Sequence, residues 1–187
     1  FQLYTDITTM IAVVANSALM LIIGCIRNTQ IGNYRWLLFT FSLTNMLISL
    51  AHCAVIPVMH LTNFGYMFIG LRNLSFRPED SIYLLIIWVI LFYQTYIVLA
   101  FHYTYRYVIV CLNSSTTRIK KNPLLLGCFP AIIIDIAYTS TILFFVYIGF
   151  LPSPERSKRF AEIIIREYDI DLLSPNPPGY LAIEYWV

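Results

Sequence analysis

Residues 81–110 read SIYLLIIWVILFYQTYIVLAFHYTYRYVIV, a stretch in which Arg106 is the only acid, lysine or arginine. A helix that crosses roughly 30 Å of hydrocarbon needs about 20 apolar residues. This stretch is therefore long enough to span a bilayer, with its arginine near one end. An unpaired charge at the edge of hydrocarbon is costly, and where one persists it marks a candidate functional site.

The same pattern recurs along the chain. Four apolar runs reach spanning length: about residues 7–26, 36–59, 81–110 and 123–150. Across all 187 residues, 59% are hydrophobic and 12% charged, with a mean hydropathy of +0.72, which lies outside the range of a soluble domain. A barrel would need short segments alternating apolar with polar, whereas these runs are continuously apolar. The expected fold is an all-α, multi-span transmembrane helix bundle, with 1–187 a single transmembrane domain. The first run lacks a basic segment before it, since Asp6 precedes it and Arg27 follows, so it is read as a retained helix and not a cleaved signal peptide. Position 1 is Phe, and the chain is read as an excerpt, an incomplete gene model or a truncated short form.

Four crossings place both termini on one side. Arg27, Arg35, Arg106, Arg118, Lys120 and Lys121 fall on one face of the membrane; Arg72, Arg77, Arg156, Lys158, Arg159 and Arg166 fall on the other. The basic residues are balanced, so the positive-inside rule does not choose. All nine loop and terminal acids, from Asp6 to Glu184, share the second face, giving +6 against −3. Acids weigh little in orientation, so this only leans the first face toward the cytoplasm and both termini outward. Asn73-Leu-Ser and Asn113-Ser-Ser lie on opposite faces; with that lean Asn73 is the expected glycosylation site.

Cys25, Cys53, Cys111 and Cys128 fall within or near helices, so no disulfide between loops is expected. Cys111 is read first as a buried thiol and second as a palmitoylation site. Residues 151–187 differ in composition, with prolines at 152, 154, 175, 177 and 178 around a mixed-charge stretch. Ala161, Ile164, Ile165 and Tyr168 recur at helical spacing. A short helix on the membrane surface or across the mouth of the bundle is one reading; a solvated loop is the other.

Three segments together resemble a known family: Ile31-Gly-Asn-Tyr-Arg-Trp-Leu-Leu-Phe-Thr-Phe-Ser-Leu-Thr-Asn, Pro57-Val-Met-His at the end of the second run, and Phe101-His-Tyr-Thr-Tyr-Arg-Tyr. They are similar to the nematode serpentine chemoreceptors of the Str superfamily, especially the Str and Srj types. Ile165-Arg-Glu-Tyr-Asp-Ile-Asp resembles the segment such receptors carry between their fourth and fifth helices. The resemblance implies a rhodopsin-like bundle of seven helices, of which four are present here, with the amino terminus outside. It implies a plasma-membrane receptor, in a sensory cilium, that detects a small odorant-like molecule and signals to a heterotrimeric G protein.

In rhodopsin-like receptors the inner end of the third helix carries Asp-Arg-Tyr; the matching residues here are Tyr105, Arg106 and Tyr107, so the acid is missing. The resemblance assigns Arg106 to activation and G protein contact. The plainer reading is a charge snorkelling to lipid phosphates. Asn16 and Asn45 match polar positions that tie the first two helices of such receptors together, and the neutral Asn45 argues against a sodium site there.

Helical geometry adds a candidate pocket without the family. Trp88 lies 18 residues before Arg106, five turns or about 27 Å along the same face. Phe92 follows one turn inward. If Arg106 faces the bundle interior, Trp88 and Phe92 line a cavity toward the other membrane face, suited to a small apolar or aromatic ligand. Packing aromatics would look the same. Asp135, in the middle of the fourth run, costs roughly 2.5–3.5 kcal/mol there unless paired or protonated, so a structural hydrogen bond is expected.

Enzyme chemistry finds no support. The three histidines, His52, His60 and His102, form no His-x-x-x-His pair, and neither Gly-x-Ser-x-Gly nor a glycine-rich phosphate loop occurs. No cofactor or metal is expected, and no dense basic patch suggests nucleic acid. The competing reading is a transporter or channel subunit, since groups such as Asp135 also mark ion paths.

Overall fold

The computed structural model describes residues 2–25, 34–73, 77–111, 129–175 and 177–185. Four helices are long and apolar enough to cross a bilayer: α1 (Gln2–Cys25), α2 (Tyr34–Val55), α3 (Pro78–Cys111) and α4 (Phe129–Gly149). α2 packs between α1 and α3, and α4 leans on α3. Met10, Ile11, Val14 and Leu21 of α1 stand exposed, as do Ile132, Ile136, Phe144 and Phe145 of α4. In water this would be an aggregation-prone surface; against acyl chains it is the expected lipid-facing side. The chain is a multi-pass membrane protein.

Each of the four helices overlaps one of the four apolar runs; residues 123–128 of the fourth run lie outside the described residues, and the second run needs a correction. The second run was expected to stay helical to Met59, but α2 ends at Val55 and Pro57 begins a strand. Proline disfavours helical backbone at the residue before it. Ile56 leaves the helix not in extended backbone but at φ 48°, a region β-branched residues rarely enter. Its side chain is wholly buried. That burial contributes about 1.5–3 kcal/mol, enough to offset a backbone cost of roughly 1–2 kcal/mol. The Ile56 N–H donates to the His52 carbonyl at 2.7 Å, and the Ile56 carbonyl accepts from the Leu71 N–H at 3.2 Å.

The strands were not anticipated. β1 (Pro57–Thr62), β2 (Gly65–Gly70) and β3 (Tyr180–Glu184) form an antiparallel sheet in the order β1-β2-β3. The all-helical expectation therefore holds for the membrane spans, and a small sheet caps one end of them. Gly65 lies close against β3: a Cβ there would run into the Ile183 carbonyl oxygen.

The sheet has two buried faces. Met67, Ile69, Tyr180 and Ala182 point toward a fifth helix, α5 (Pro154–Tyr168), and meet Phe160, Ala161 and Ile164. Phe68 and Leu181, one residue out of phase, point toward the bundle and join Val55, Leu85, Trp88, Val89 and Val146. α5 is the short helix expected within 151–187, and it lies across the sheet at the mouth of the bundle. Ser153 caps it by accepting from the Arg156 N–H at 3.3 Å, and Asp169 ends it in a left-handed turn. Of the four residues expected on its inner stripe, Ala161 and Ile164 are buried but Ile165 is exposed, and Phe160 takes the central place.

Ser157 and Tyr180 hydroxyls hydrogen-bond at 2.7 Å, Arg159 pairs with Glu184 at 3.4 Å, and His60 Nδ1 approaches Glu167 at 3.2 Å. These contacts seat α5 on the sheet.

Two outcomes test this arrangement. Gly65→Ala forces β3 away from β2, so limited proteolysis of the protein in nanodiscs should cut within 177–185 faster while the spans stay protected. Burial pushes the Tyr180 hydroxyl above its ordinary value. The raised value means its stabilising contribution is fully present below about pH 10 and is lost as pH rises through the folded value. Alkaline titration should therefore expose α5 to protease at lower pH in the wild type than in Tyr180→Phe, which has no such proton to lose.

Candidate functional site

At the end of α3 far from the sheet, the partner of Arg106 is an aromatic residue. Tyr34, the first residue of α2, places its hydroxyl 3.1 Å from Arg106 Nε and its ring 5.6 Å beneath the guanidinium carbon. Tyr105 stacks on the same ring at 5.5 Å and 17°. The Tyr34 hydroxyl also lies 3.1 Å from His102 Nδ1, while His102 Nε2 lies 3.2 Å from the Leu37 carbonyl oxygen. His102 is buried, with the edge of its ring system against Tyr34 and Phe41. Arg106 and Tyr107 are exposed. Among the described residues Arg106 has no carboxylate partner. The tyrosine and histidine of this cluster, Tyr34 and His102, were missed in the sequence. Tyr34 lies 72 positions from Arg106, beyond any helical spacing rule, and His102 looked like one more residue of an apolar run.

Trp88 faces the same neighbour as Arg106, as five turns of helix require: it meets His52 of α2 at 6.2 Å, and Phe68 of the sheet at 5.8 Å. Phe92 stacks on it at 5.6 Å and continues into an aromatic ladder with Tyr93 and Tyr96. Trp88 is 9% exposed and belongs to the core below the sheet, whereas Phe92 is 39% exposed. The Trp88 indole Nε1 is buried with no hydrogen-bond partner among the described residues. A groove of about 390 Å³ opens on another side of α3, lined by Glu79, Ile82, Tyr83 and Ile86 with Leu143, Val146, Tyr147 and Leu151. Neither Trp88 nor Phe92 lines it.

Asp135 has the hydrogen bond its position demands. Gln94 of α3 donates to the Asp135 carboxylate, and the Thr139 hydroxyl donates to the Gln94 side-chain oxygen at 3.5 Å. This cluster joins α3 to α4. Asn16 turns to its own helix, donating to the Ala12 carbonyl at 2.8 Å, so it does not supply the expected tie to α2. Polar links from α1 to α2 run instead from Thr9 to the Ser49 carbonyl at 3.4 Å and from Ser17 to Met46 sulfur at 3.7 Å. Asn45 is half-buried, and its own carbonyl accepts from Ser49 at 2.8 Å. At the sheet end Arg72 clamps Asp6 at 2.6 Å and Cys53 at 3.2 Å, drawing α1, α2 and the turn after β2 together. Asn73 closes that turn, but its side chain and the rest of its sequon lie outside the described residues, as do Asn113, Cys128 and the basic stretch Arg118 to Lys121.

A family model for the Str serpentine seven-transmembrane G protein-coupled chemoreceptors matches residues 1–186. The chain belongs to that family. No match was found among curated proteins or among solved structures. Membership accounts for the multi-span bundle, of which four spans are described here, and for a chemoreceptor role. The family is one of receptors and not a class of enzymes. Within this Str receptor Arg106 lies on α3 and the residue before it is Tyr105.

Removing Gln94 would strip the intramembrane carboxylate of its donor. Gln94→Leu should therefore lower stability in detergent by about 2 kcal/mol. Combining it with Asp135→Leu should recover most of that loss, measured as the thermal midpoint of tryptophan fluorescence.

Proposed function

We propose that this Str receptor lies in the plasma membrane with its sheet and α5 outside, admits a small apolar or aromatic molecule near Trp88 and Phe92, and presents the Arg106 end to a heterotrimeric G protein. The supporting observation is Arg106 itself. Tyr105-Arg106-Tyr107 resembles the triplet at the inner end of the third helix of rhodopsin-like receptors, and Arg106 stands exposed at the far end of α3 from the sheet. One face of the molecule thus carries a layered aromatic and apolar cap, and the other an exposed guanidinium.

Trp88 and Phe92 suit the ligand end chemically. The two stacked rings offer an aromatic wall, half-exposed at Phe92, and the orphaned Trp88 Nε1 offers one hydrogen-bond donor. A ligand can bias such a receptor only by binding one arrangement of its helices better than another. The transporter reading leaned on Asp135, and that carboxylate is engaged with Gln94 between α3 and α4.

Two measurements test this reading. Expressed in cells, the wild-type chain should carry a glycan that Asn73→Gln removes and Asn113→Gln leaves. Loss only with Asn113→Gln would invert the topology and sink the assignment of the Arg106 end to the cytoplasm. In receptor membranes supplied with G protein, Arg106→Gln should reduce nucleotide exchange by at least about tenfold, the scale of one lost charge-assisted hydrogen bond.

A further inference from the structure

The cluster at the Arg106 end has a direction. A carbonyl oxygen can only accept, so the 3.2 Å contact with Leu37 places the His102 proton on Nε2. In a neutral imidazole that leaves Nδ1 as an acceptor. The Tyr34 hydroxyl, 3.1 Å away, therefore donates to Nδ1, and its oxygen keeps a lone pair for Arg106 Nε–H, also at 3.1 Å. The resulting chain runs Arg106 to Tyr34 to His102 to the Leu37 carbonyl, with every donor matched to one acceptor. Stacking on Tyr105 and the edge contact with His102 hold the Tyr34 ring in place.

We propose that Tyr34 is the positioning residue that holds Arg106 against α2 in the resting arrangement, and that protonation of His102 releases it. It would do so in place of the acid that Tyr105 cannot supply. A second proton on His102 would sit on Nδ1. Tyr34 oxygen would then face two donors, its own hydrogen would lose its acceptor, and a second positive charge would stand beside the guanidinium. Among the described residues, the titratable or charged groups facing His102 are Tyr34 from α2 and Arg106 from α3. Neither is an acid that could neutralise the new charge. Acid on this face therefore opens the contact. The regulatory half of this proposal rests on the receptor reading above; the hydrogen-bonded chain does not.

The test is protection of the Arg106 Nε–H against solvent exchange, read by NMR on the full chain labelled with 15N-arginine in nanodiscs and scaled to free arginine at the same pH. The resonance is identified by its loss in Arg106→Gln. Tyr34→Phe keeps the ring and both aromatic contacts but removes the hydroxyl, and should cut protection at pH 8 by about tenfold. In the wild type, protection should fall as the pH is lowered from 8, and that step should vanish in His102→Phe. Unchanged protection in Tyr34→Phe, or a pH step that survives in His102→Phe, overturns the chain.

Basal nucleotide exchange on G protein separates the two layers. With the lock, Tyr34→Phe raises it at least threefold over wild type. If Tyr34→Phe lowers protection but leaves nucleotide exchange unchanged while Arg106→Gln reduces it, the regulatory half is overturned. If Arg106→Gln has no effect on nucleotide exchange either, it is the receptor reading that fails, and the hydrogen-bonded chain stands on the NMR result.

Discussion

Inside a bilayer a backbone N–H or carbonyl has no water to bond, so each must find its partner within the protein. The architecture follows from that constraint. Among the described residues the spans are helical, and strand begins past their ends, at Pro57 and again at Tyr180. The strands then satisfy one another: β1 and β3 both pair with β2, and α5 lies over the face of the sheet turned away from the bundle. Helices, sheet and lid helix thus form successive layers, each closing groups the layer below leaves open.

The same constraint governs polar side chains within the spans. Asp135 is tolerated because Gln94 meets it, and Asn16 and Ser49 spend their capacity on carbonyls of their own helices. Arg106 sits at the boundary where partial hydration is available, and its contact is neutral. A tyrosine hydroxyl and ring stabilise a guanidinium less than a carboxylate would, but they demand no second buried charge.

Much of this was legible in the sequence, and the failures have physical causes. Continuous apolar runs located the four spans, and five-turn spacing put Trp88 and Arg106 on one face of α3, which the structure turns toward α2. The sheet was hidden because both of its faces are covered. Gly65-Tyr-Met-Phe-Ile-Gly is apolar at every other position in both phases, so it lacks the alternation that betrays a half-buried strand. The proline at 57 was the available signal, and it was overridden by the apolar residues on either side of it. Tyr34 was out of reach for a different reason: pairings across 72 positions depend on how α2 and α3 pack, which no local pattern encodes.

The junction at Ile56 carries a mechanical consequence. A left-handed β-branched residue, buried completely and bonded back to His52 on one side and across to Leu71 on the other, is a stiff joint with little room to swivel. The helix it terminates begins with Tyr34. A 22-residue helix is about 33 Å long and behaves as a rod. α2 therefore acts as a crankshaft welded to the sheet at one end and carrying the Arg106 catch at the other, so a twist imposed on the sheet would turn Tyr34 with it.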